Sequence, residues 1–178
     1  QIIDNKEEER FTSVVYQEDW HKGVIGIVAS RLIEKYYRPT LVFTKSGDNL
    51  AASARSVKGF DVYNALHECS EFIEQFGGHK YAAGLTLLPK NYQKCKDKFE
   101  QVVSQTISKE LLMPEISIDA EIELSEITPK FFRIIEQMGP FGPQNMKPIF
   151  KSNCVRDNGY GKKVGKEQDH LKLNLFQG

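Results

Sequence analysis

Residues 76–84 read Phe-Gly-Gly-His-Lys-Tyr-Ala-Ala-Gly, and few local structures accommodate this string. An ordered glycine pair such as Gly77-Gly78 costs backbone entropy, so it usually marks a tight bend or a close approach of the backbone to a ligand. His79 and Lys80 follow with no carboxylate beside them, a composition that suits an anion such as phosphate. The alternative is a helix that ends at Gly77 and turns into a buried strand, and composition alone favours it.

Composition restricts the class of protein. Hydrophobic residues make up 40% of the chain and charged residues 27%, as in an ordinary soluble domain, and the formal net charge is zero, so any nucleic-acid signal must be local. Cys69, Cys95 and Cys154 lie too far apart for a zinc site and indicate reduced thiols of a cytoplasmic protein. We expect no membrane segment and no secretory leader. The start at Gln1 and the strand-like end favour a piece of a longer protein.

The pattern of elements up to residue 113 predicts an α/β (α+β) domain with a mixed sheet. Residues 1–10 are polar and are predicted to be a linker or a frayed helix end. Asp61 is a good N-cap for a helix that the glycine pair would stop, and Asn91 is a good N-cap for a long charged helix. Strands are predicted at 11–16, 40–44, 50–55 and 82–88, and helices at 23–37, 62–76 and 92–112.

Pro114 marks a predicted boundary, so residues 11–113 and 114–178 are predicted to be separate domains. Residues 116–124 alternate apolar and acidic side chains, which predicts a half-buried strand with a solvated acidic face. Thr128 and Pro129 have the residue types of a helix N-cap and first turn. Strands at 149–155 and 170–176 would flank a flexible basic loop at 159–166. The order is typical of a small β domain that is cut off before completion.

Basic residues are concentrated in two segments. Residues 20–59 contain seven basic residues against two acidic ones, and residues 151–166 contain five against one. Both segments could follow a phosphate backbone, although most surface lysines only solubilise a protein. Arg55 is the strongest candidate ligand, because arginine can hold a phosphate bidentately and Ser53 and Ser56 supply hydroxyl donors beside it. Lys58 and Lys80 are further candidates.

The sequence shows no cluster of the residues that metal-dependent hydrolysis of a phosphodiester requires. A metal-dependent phosphodiesterase needs several Asp and His ligands for its cations. The four histidines, His21, His67, His79 and His170, stand apart from one another, and none belongs to a His-x-x-x-His cluster. The sequence therefore predicts binding chemistry without hydrolytic machinery, and no metal ligands.

Several segments, in this order and spacing, resemble the RecJ family of single-strand-specific 5′-to-3′ DNA exonucleases. Residues after Pro114, with 140–143 and 148–150, are similar to the start of the RecJ OB-fold domain, which implies that residues 114–178 are a truncated, OB-like β-barrel domain. The remaining matches, to the DHH-associated substrate domain, are residues 20–31, 38–40, 53–56 with 59–61, and 76–79 with 82–84. The Gly-Gly-His string alone would indicate only the wider DHH phosphoesterase superfamily. The chain departs from the family at Ala52 and Gln144, where glycine is frequent.

The resemblance implies a two-lobed nuclease of DNA repair and recombination. A DHH domain N-terminal to Gln1 would carry two manganese or magnesium ions, and the present chain would hold the strand without cleaving it alone. Implied partners are single-stranded DNA, that DHH domain, a single-strand-binding protein and a helicase. Two alternatives remain open: a superfamily phosphodiesterase of short oligonucleotides or cyclic dinucleotides, and a non-catalytic RNA-binding module like the one appended to alanyl-tRNA synthetases.

The resemblance also implies roles for individual residues. Ser53, Arg55 and Ser56 would grip the terminal phosphate. His79 would act in catalysis as a donor to the phosphate oxyanion beside the metal ions. The full implied substrate-binding set is Ser53, Arg55, Ser56, Gly77, Gly78, His79, Lys80, Ala82, Ala83, Gly84 and His21, and Trp20 is carried with His21.

Overall fold

The computed structural model describes residues 2 and 9–178, so most of the linker predicted at 1–10 lies outside the described residues. The chain divides into two compact units, Gln1–Pro114 and Glu115–Gly178. Within the described residues, no helix has the length and apolar character needed to cross a membrane.

The first unit is built on one five-stranded sheet with strand order β1-β2-β3-β5-β4. Because β1 and β2 are parallel and every other neighbouring pair is antiparallel, the sheet is mixed, and the predicted fold class is confirmed. The strands are β1 (Ser13–Tyr16), β2 (Thr40–Ser46), β3 (Asn49–Arg55), β4 (Gln75–His79) and β5 (Ala82–Leu87). The helices are α1 (Ile25–Tyr36), α2 (Val62–His67) and α3 (Tyr92–Thr106).

The two faces of the sheet are covered unequally. On one face, buried side chains of β2, β3 and β5 such as Phe43 and Leu87 pack with α2 and α3 in the main core. On the other face, Ile25 and Ala29 of α1 pack on Val42 and its neighbours, so α1 covers β1 and β2 and reaches β3. The face of β4 and β5 on that side stays open, and this opening forms the site described below.

The predicted helix over 62–76 is wrong in its second half. The α2 helix ends at His67, a single 3₁₀ turn spans Ser70–Phe72, and residues 75–79 form β4, so Gly77 is not a helix C-cap. The apolar spacing was misleading because Phe76 reaches the core from a strand, with its ring 5.3 Å from that of Tyr63. Cross-strand hydrogen bonds to β5 satisfy the backbone there, and this tertiary pairing outweighs the local helical pattern.

The paired glycines lie inside the β4–β5 hairpin, and the space around their backbones differs. Gly78 has φ of 151°, and a Cβ there would lie 2.3 Å from the Ala82 carbonyl oxygen and 2.5 Å from Ala83 Cα. A Cβ on Gly77 would meet nothing within 4 Å. Only Gly78 is therefore required by the fold itself.

Other boundaries in the first unit are close to those predicted. Asp61 caps α2 by accepting a hydrogen bond from the Asn64 amide, as predicted. The long charged helix ends at Thr106, six residues before the expected end, and its cap is different. The predicted Asn91 cap is wrong: its side chain accepts no hydrogen bond from the first turn, and its Nδ2 donates to the Phe72 carbonyl.

The second unit contains one helix and three short strand pairs. The helix is α4 (Pro129–Gln137), and Thr128 caps it by accepting from the Phe131 amide, as predicted. The strands are β6 (Ala120–Glu121), β7 (Phe150–Lys151), β8 (Val155–Asp157), β9 (Lys162–Val164), β10 (His170–Lys172) and β11 (Leu175–Gln177). They pair as β6–β7, β8–β11 and β9–β10 and close no barrel within residues 115–178, in agreement with an incomplete OB-like domain.

Three strand predictions in this unit are corrected. Only residues 120–121 of the predicted strand 116–124 are β, and Ile116 is 73% exposed, because no described strand pairs along the rest of the segment. The predicted strands 149–155 and 170–176 are each broken into two short strands. The predicted loop 159–166 contains β9, whose backbone pairs with β10.

The glycine pair generates a matched stability test. We expect Gly78→Ala to lower the free energy of unfolding by about 2–4 kcal/mol, because the new methyl group clashes with fixed backbone atoms. Gly77→Ala should change it by less than about 1 kcal/mol, since its methyl group enters open space. Urea unfolding of both variants measures the difference, and equal losses would contradict the assignment.

The buried thiols generate a second test. Burial raises the pKa of the Cys69 thiol and of the Cys95 thiol from 9.0 to about 12. The unfolded chain therefore loses these protons first, so their stabilisation is complete below the unfolded pKa and is lost as pH rises toward the folded pKa. We expect the urea midpoint to fall between about pH 8 and about pH 10.

The fall in the urea midpoint with pH should be smaller in the double variant Cys69→Ala, Cys95→Ala. Cys154→Ser is the control, because Cys154 is exposed. An equal fall in the double variant and in the unsubstituted chain would contradict the prediction.

Candidate nucleic-acid interface

A cavity of about 530 Å³ lies in the first unit, between the start of α1 and the open face of β3, β5 and β4. It is lined by residues from four elements or their approaches: Lys22, Gly23, Ile25, Gly26, Ala51, Ala52, Ser53, Arg55, Gln75, Phe76, Gly77, Gly84, Leu85 and Thr86. Most of these side chains are small, so backbone and a few polar groups make up much of the lining.

Strand register builds the cavity floor. Ser53 lies opposite Gly84, and Gly84 lies opposite Gly77 on the next strand. Because directly opposite residues point to the same face of a sheet, this row crosses three strands with a single side chain, that of Ser53. A Cβ on Gly84 would come no closer than 3.9 Å to any protein atom, so the missing side chain leaves space and avoids no clash.

Arg55 provides the positive charge at the edge of this floor. Its Nη1 donates to Ser53 Oγ (2.9 Å) and to the Ala54 carbonyl (2.8 Å), and a Cβ on Gly26 would lie 2.8 Å from its Nη2. The residue is half-buried, and no carboxylate of residues 2 and 9–178 pairs with it. A partly desolvated guanidinium without a counter-ion favours an anion in the cavity.

The start of α1 adds to this potential. Ile25 and Gly26 line the cavity in the first turn, where backbone amides have no partner inside the helix. The first turn carries no acidic residue, so the positive end of the helix dipole is not neutralised by its own side chains. Lys22 contributes a further positive charge to the lining.

The structure brings four of the predicted substrate-binding residues together at the cavity: Ser53, Arg55, Gly77 and Gly84. Ala82 lies in the adjacent row, opposite Arg55 on one side and His79 on the other. Ala83 is buried in the main core, because its side chain points to the opposite face of the sheet.

The turn between β4 and β5 places His79 and Lys80 at the edge of the sheet. His79 is exposed, and its Nδ1 accepts a hydrogen bond from the Tyr81 amide (3.3 Å). In the neutral ring this arrangement puts the proton on Nε2, which then acts as a donor. Lys80 lies exposed in the two-residue turn, with Nζ 5.6 Å from the centroid of the Tyr81 ring.

Three predicted residues make structural contacts outside the cavity lining. Ser56 Oγ donates to the Phe60 carbonyl (3.0 Å) and closes the turn after β3. His21 Nδ1 accepts from the Gly23 amide (3.0 Å) just before α1. The Trp20 carbonyl accepts from the Thr44 hydroxyl (2.6 Å).

Among the lining residues outside the predicted substrate-binding set, Gln75 and Thr86 had no signal in the sequence. Gln75 lies opposite Thr86, and Thr86 lies opposite Ala51, so they form a second row beside the glycine row. Alternation along a strand would have found Gln75 if residues 75–79 had been recognised as a strand. The glycine-rich start of α1 at Gly23 and Gly26 is evident from the sequence, but the closeness of Gly26 to Arg55 follows only from the packing of α1.

The described residues do not fit a catalytic metal ion. In the described part of the chain, no group of three or more His, Cys, Asp or Glu side chains comes close enough to hold one. The cavity instead presents hydrogen-bond donors, namely Arg55, the Ser53 hydroxyl and backbone amides. Donors of this kind suit an anion, whereas a metal cation needs oxygen, nitrogen or sulfur lone pairs.

Comparison with known proteins extends over nearly the whole chain. Residues 10–105, more than half of the chain, match the DHHA1 domain family, and residues 118–178 match the RecJ OB domain. Relatives include the single-stranded-DNA-specific exonucleases RecJ of Bacillus subtilis and Escherichia coli. The first is 32% identical over 91% of this chain and 21% of its own length, and the second is 32% identical over 76% and 24%.

A solved structure agrees with the fold. The crystal structure of RecJ in complex with Mg²⁺ from Thermus thermophilus covers 94% of this chain with a TM-score of 0.80 and 24% identity. The matched part is 26% of that chain, and the present chain spans about a fifth to a quarter of the curated relatives above. The chain therefore belongs to the DHHA1 domain family, carries a RecJ OB domain after it, and corresponds to a C-terminal region of RecJ.

Proposed function

We propose that this chain is the strand-binding part of a RecJ-type 5′-to-3′ exonuclease specific for single-stranded DNA, and that the cavity holds the 5′-terminal phosphate. The observation that carries the proposal is Arg55, a half-buried guanidinium with no carboxylate partner in the described residues, placed at the edge of a floor made of glycine. The names of the relatives supply the substrate class.

The geometry suits a phosphate at the end of a strand. Arg55 can donate two parallel hydrogen bonds to phosphate oxygens, and the Ser53 hydroxyl and the first amides of α1 add neutral donors. Gly77 and Gly84 remove the side chains that would keep a sugar-phosphate backbone away from the sheet. In this proposal Ser56 supports the end of β3 through Phe60, and the phosphate is bound by Ser53 and Arg55.

His79 is proposed as the catalytic donor of this chain. With Nδ1 held by the Tyr81 amide, Nε2 is free to donate to a phosphate oxygen that carries developing charge. Lys80 adds positive charge next to it, and Gly78 and Ala83 hold the hairpin in shape. Manganese or magnesium is proposed to bind on a DHH domain outside this chain, where His79 would assist by hydrogen bonding to the phosphate.

Domain roles follow from the same proposal. Residues 11–113 form the substrate-binding domain, and residues 114–178 form an incomplete OB-fold domain that guides the strand. The remaining proposed partners are the DHH domain of the same protein, a single-strand-binding protein and a helicase, all acting in the cytoplasm in DNA repair and recombination.

Arg55→Gln tests the phosphate site. Fluorescence anisotropy with matched 5′-phosphorylated and 5′-hydroxyl single strands measures the preference for the phosphorylated end. We expect the substitution to reduce that preference by about ten-fold or more, because a charge-assisted hydrogen bond is removed. Arg31→Gln is the matched control, since Arg31 is exposed and pairs with Glu34 on α1. An unchanged preference in Arg55→Gln would refute the role of Arg55.

Gly26→Ala tests the same site without removing the charge. The new Cβ would lie 2.8 Å from Arg55 Nη2 and 3.2 Å from Ser53 Oγ, so it should push the flexible guanidinium aside and lower the 5′-phosphate preference. Thermal unfolding should be unchanged or shifted upward, because alanine is the better helix former. Ser30→Ala on the same helix controls for helix propensity, and full binding by Gly26→Ala would argue against the Arg55 geometry.

A further inference from the structure

The floor of the cavity in the first unit is charged on one side and neutral on the other. Arg55 turns its guanidinium toward the glycine row, where its Nη1 donates to Ser53 Oγ (2.9 Å). The neighbouring row consists of Ala51, Thr86 and Gln75, which all line the cavity and carry no charge. These three residues are called the polar row below. The same floor therefore presents a cation and, beside it, an uncharged polar group.

The polar side chains of this row are open to a ligand. Neither the Gln75 side-chain amide nor the Thr86 hydroxyl makes a hydrogen bond to any of residues 2 and 9–178. By contrast, the Ser53 hydroxyl accepts from Arg55, and the Ser56 hydroxyl donates to a backbone carbonyl. Thr86 is half-buried and Gln75 is exposed beside it. An amide and a hydroxyl together offer donors and acceptors without charge, which suits a neutral polar group better than a phosphate.

The spacing of rows and strands sets the size of a ligand that could reach both groups. Thr86 lies one row and one strand away from Ser53, so their Cα atoms are roughly 8 Å apart. Gln75 lies one row and two strands away, at roughly 12 Å. One nucleotide spans distances of this order from its phosphate to the outer edge of its base. The glycine row between the two groups leaves room for the sugar.

We propose that the polar row is a subsite for the base of the 5′-terminal nucleotide, which the Gln75 amide and the Thr86 hydroxyl bind by hydrogen bonds to the base edge. This inference rests on the proposed function, from which it takes the phosphate position at Arg55. The amide can turn by half a rotation and exchange its donor and acceptor, and the hydroxyl can turn as well. The subsite therefore requires a base at the end of the strand without selecting which base.

An abasic end tests the subsite in the unsubstituted chain. Anisotropy is measured on the whole chain with 5′-phosphorylated oligo(dT) of about four nucleotides, labelled at its 3′ end, and with the same strand lacking its first base. A strand this short limits contacts beyond its 5′ end. We expect the abasic end to bind about five-fold more weakly, because hydrogen bonds to the base are lost while the phosphate contact remains. Equal affinity for the two strands would refute the subsite.

Substitutions in the polar row assign the effect to these side chains. In the double variant Gln75→Ala, Thr86→Val, both strands should bind with the affinity that the unsubstituted chain has for the abasic end. Thr86→Ser keeps the hydroxyl and should preserve the dependence on the base. Gln105→Ala on α3, which removes an exposed amide elsewhere, is the matched control. Thermal unfolding checks that each variant is folded, and base dependence that persists in the folded double variant would contradict the assignment.

The same strands with a 5′-hydroxyl end separate this inference from the proposed phosphate site. If the phosphorylated end is preferred while base-bearing and abasic ends bind alike, the base subsite is refuted and the phosphate site stands. If binding depends on the base but not on the terminal phosphate, the phosphate site is refuted and the polar row still binds a base. Absence of both effects overturns both.

Discussion

The pairing of β5 with β3 on one side and β4 on the other is the constraint on which the candidate site depends. It sets Ser53, Gly84 and Gly77 in one row and Arg55, Ala82 and His79 in the next. A slip of one residue in either pair would turn every side chain to the other face of the sheet. The row of glycines would then face the main core, and the bulky core residues would fill the cavity.

The formal net charge of the chain is zero, so an electrostatic attraction for an anion must come from local groups. In the first unit a single half-buried guanidinium works with neutral donors around a shaped cavity, which suits one phosphate held in one orientation. In the second unit, by contrast, exposed lysines lie on a two-stranded ribbon. The two arrangements differ in how far their positive charges are removed from solvent.

Much of the fold could be predicted from local patterns. The strands predicted at 40–44 and 50–55, the Asp61 cap and the Thr128 cap all follow from short-range chemistry and agree closely with the structure. Predictions were wrong where pairing between segments far apart in the sequence determines the secondary structure. Apolar spacing up to Phe76 favours a helix, yet residues 75–79 form a strand because β5 is available to pair with them. The strand predicted at 116–124 is confined to two residues that find a partner in β7.

The sequence by itself determined which residues can bind an anion. Arg55 and Ser53 are hydrogen-bond donors by residue type, and the glycine pair lacks side chains whatever the fold. The sequence also carried the motifs that identify the family. Only the tertiary structure decided which of them meet, because strand register and the packing of α1 on Arg55 depend on contacts far apart in sequence. That is why Gly26 and Gln75 join the cavity, while Ser56 turns its hydroxyl to the Phe60 carbonyl.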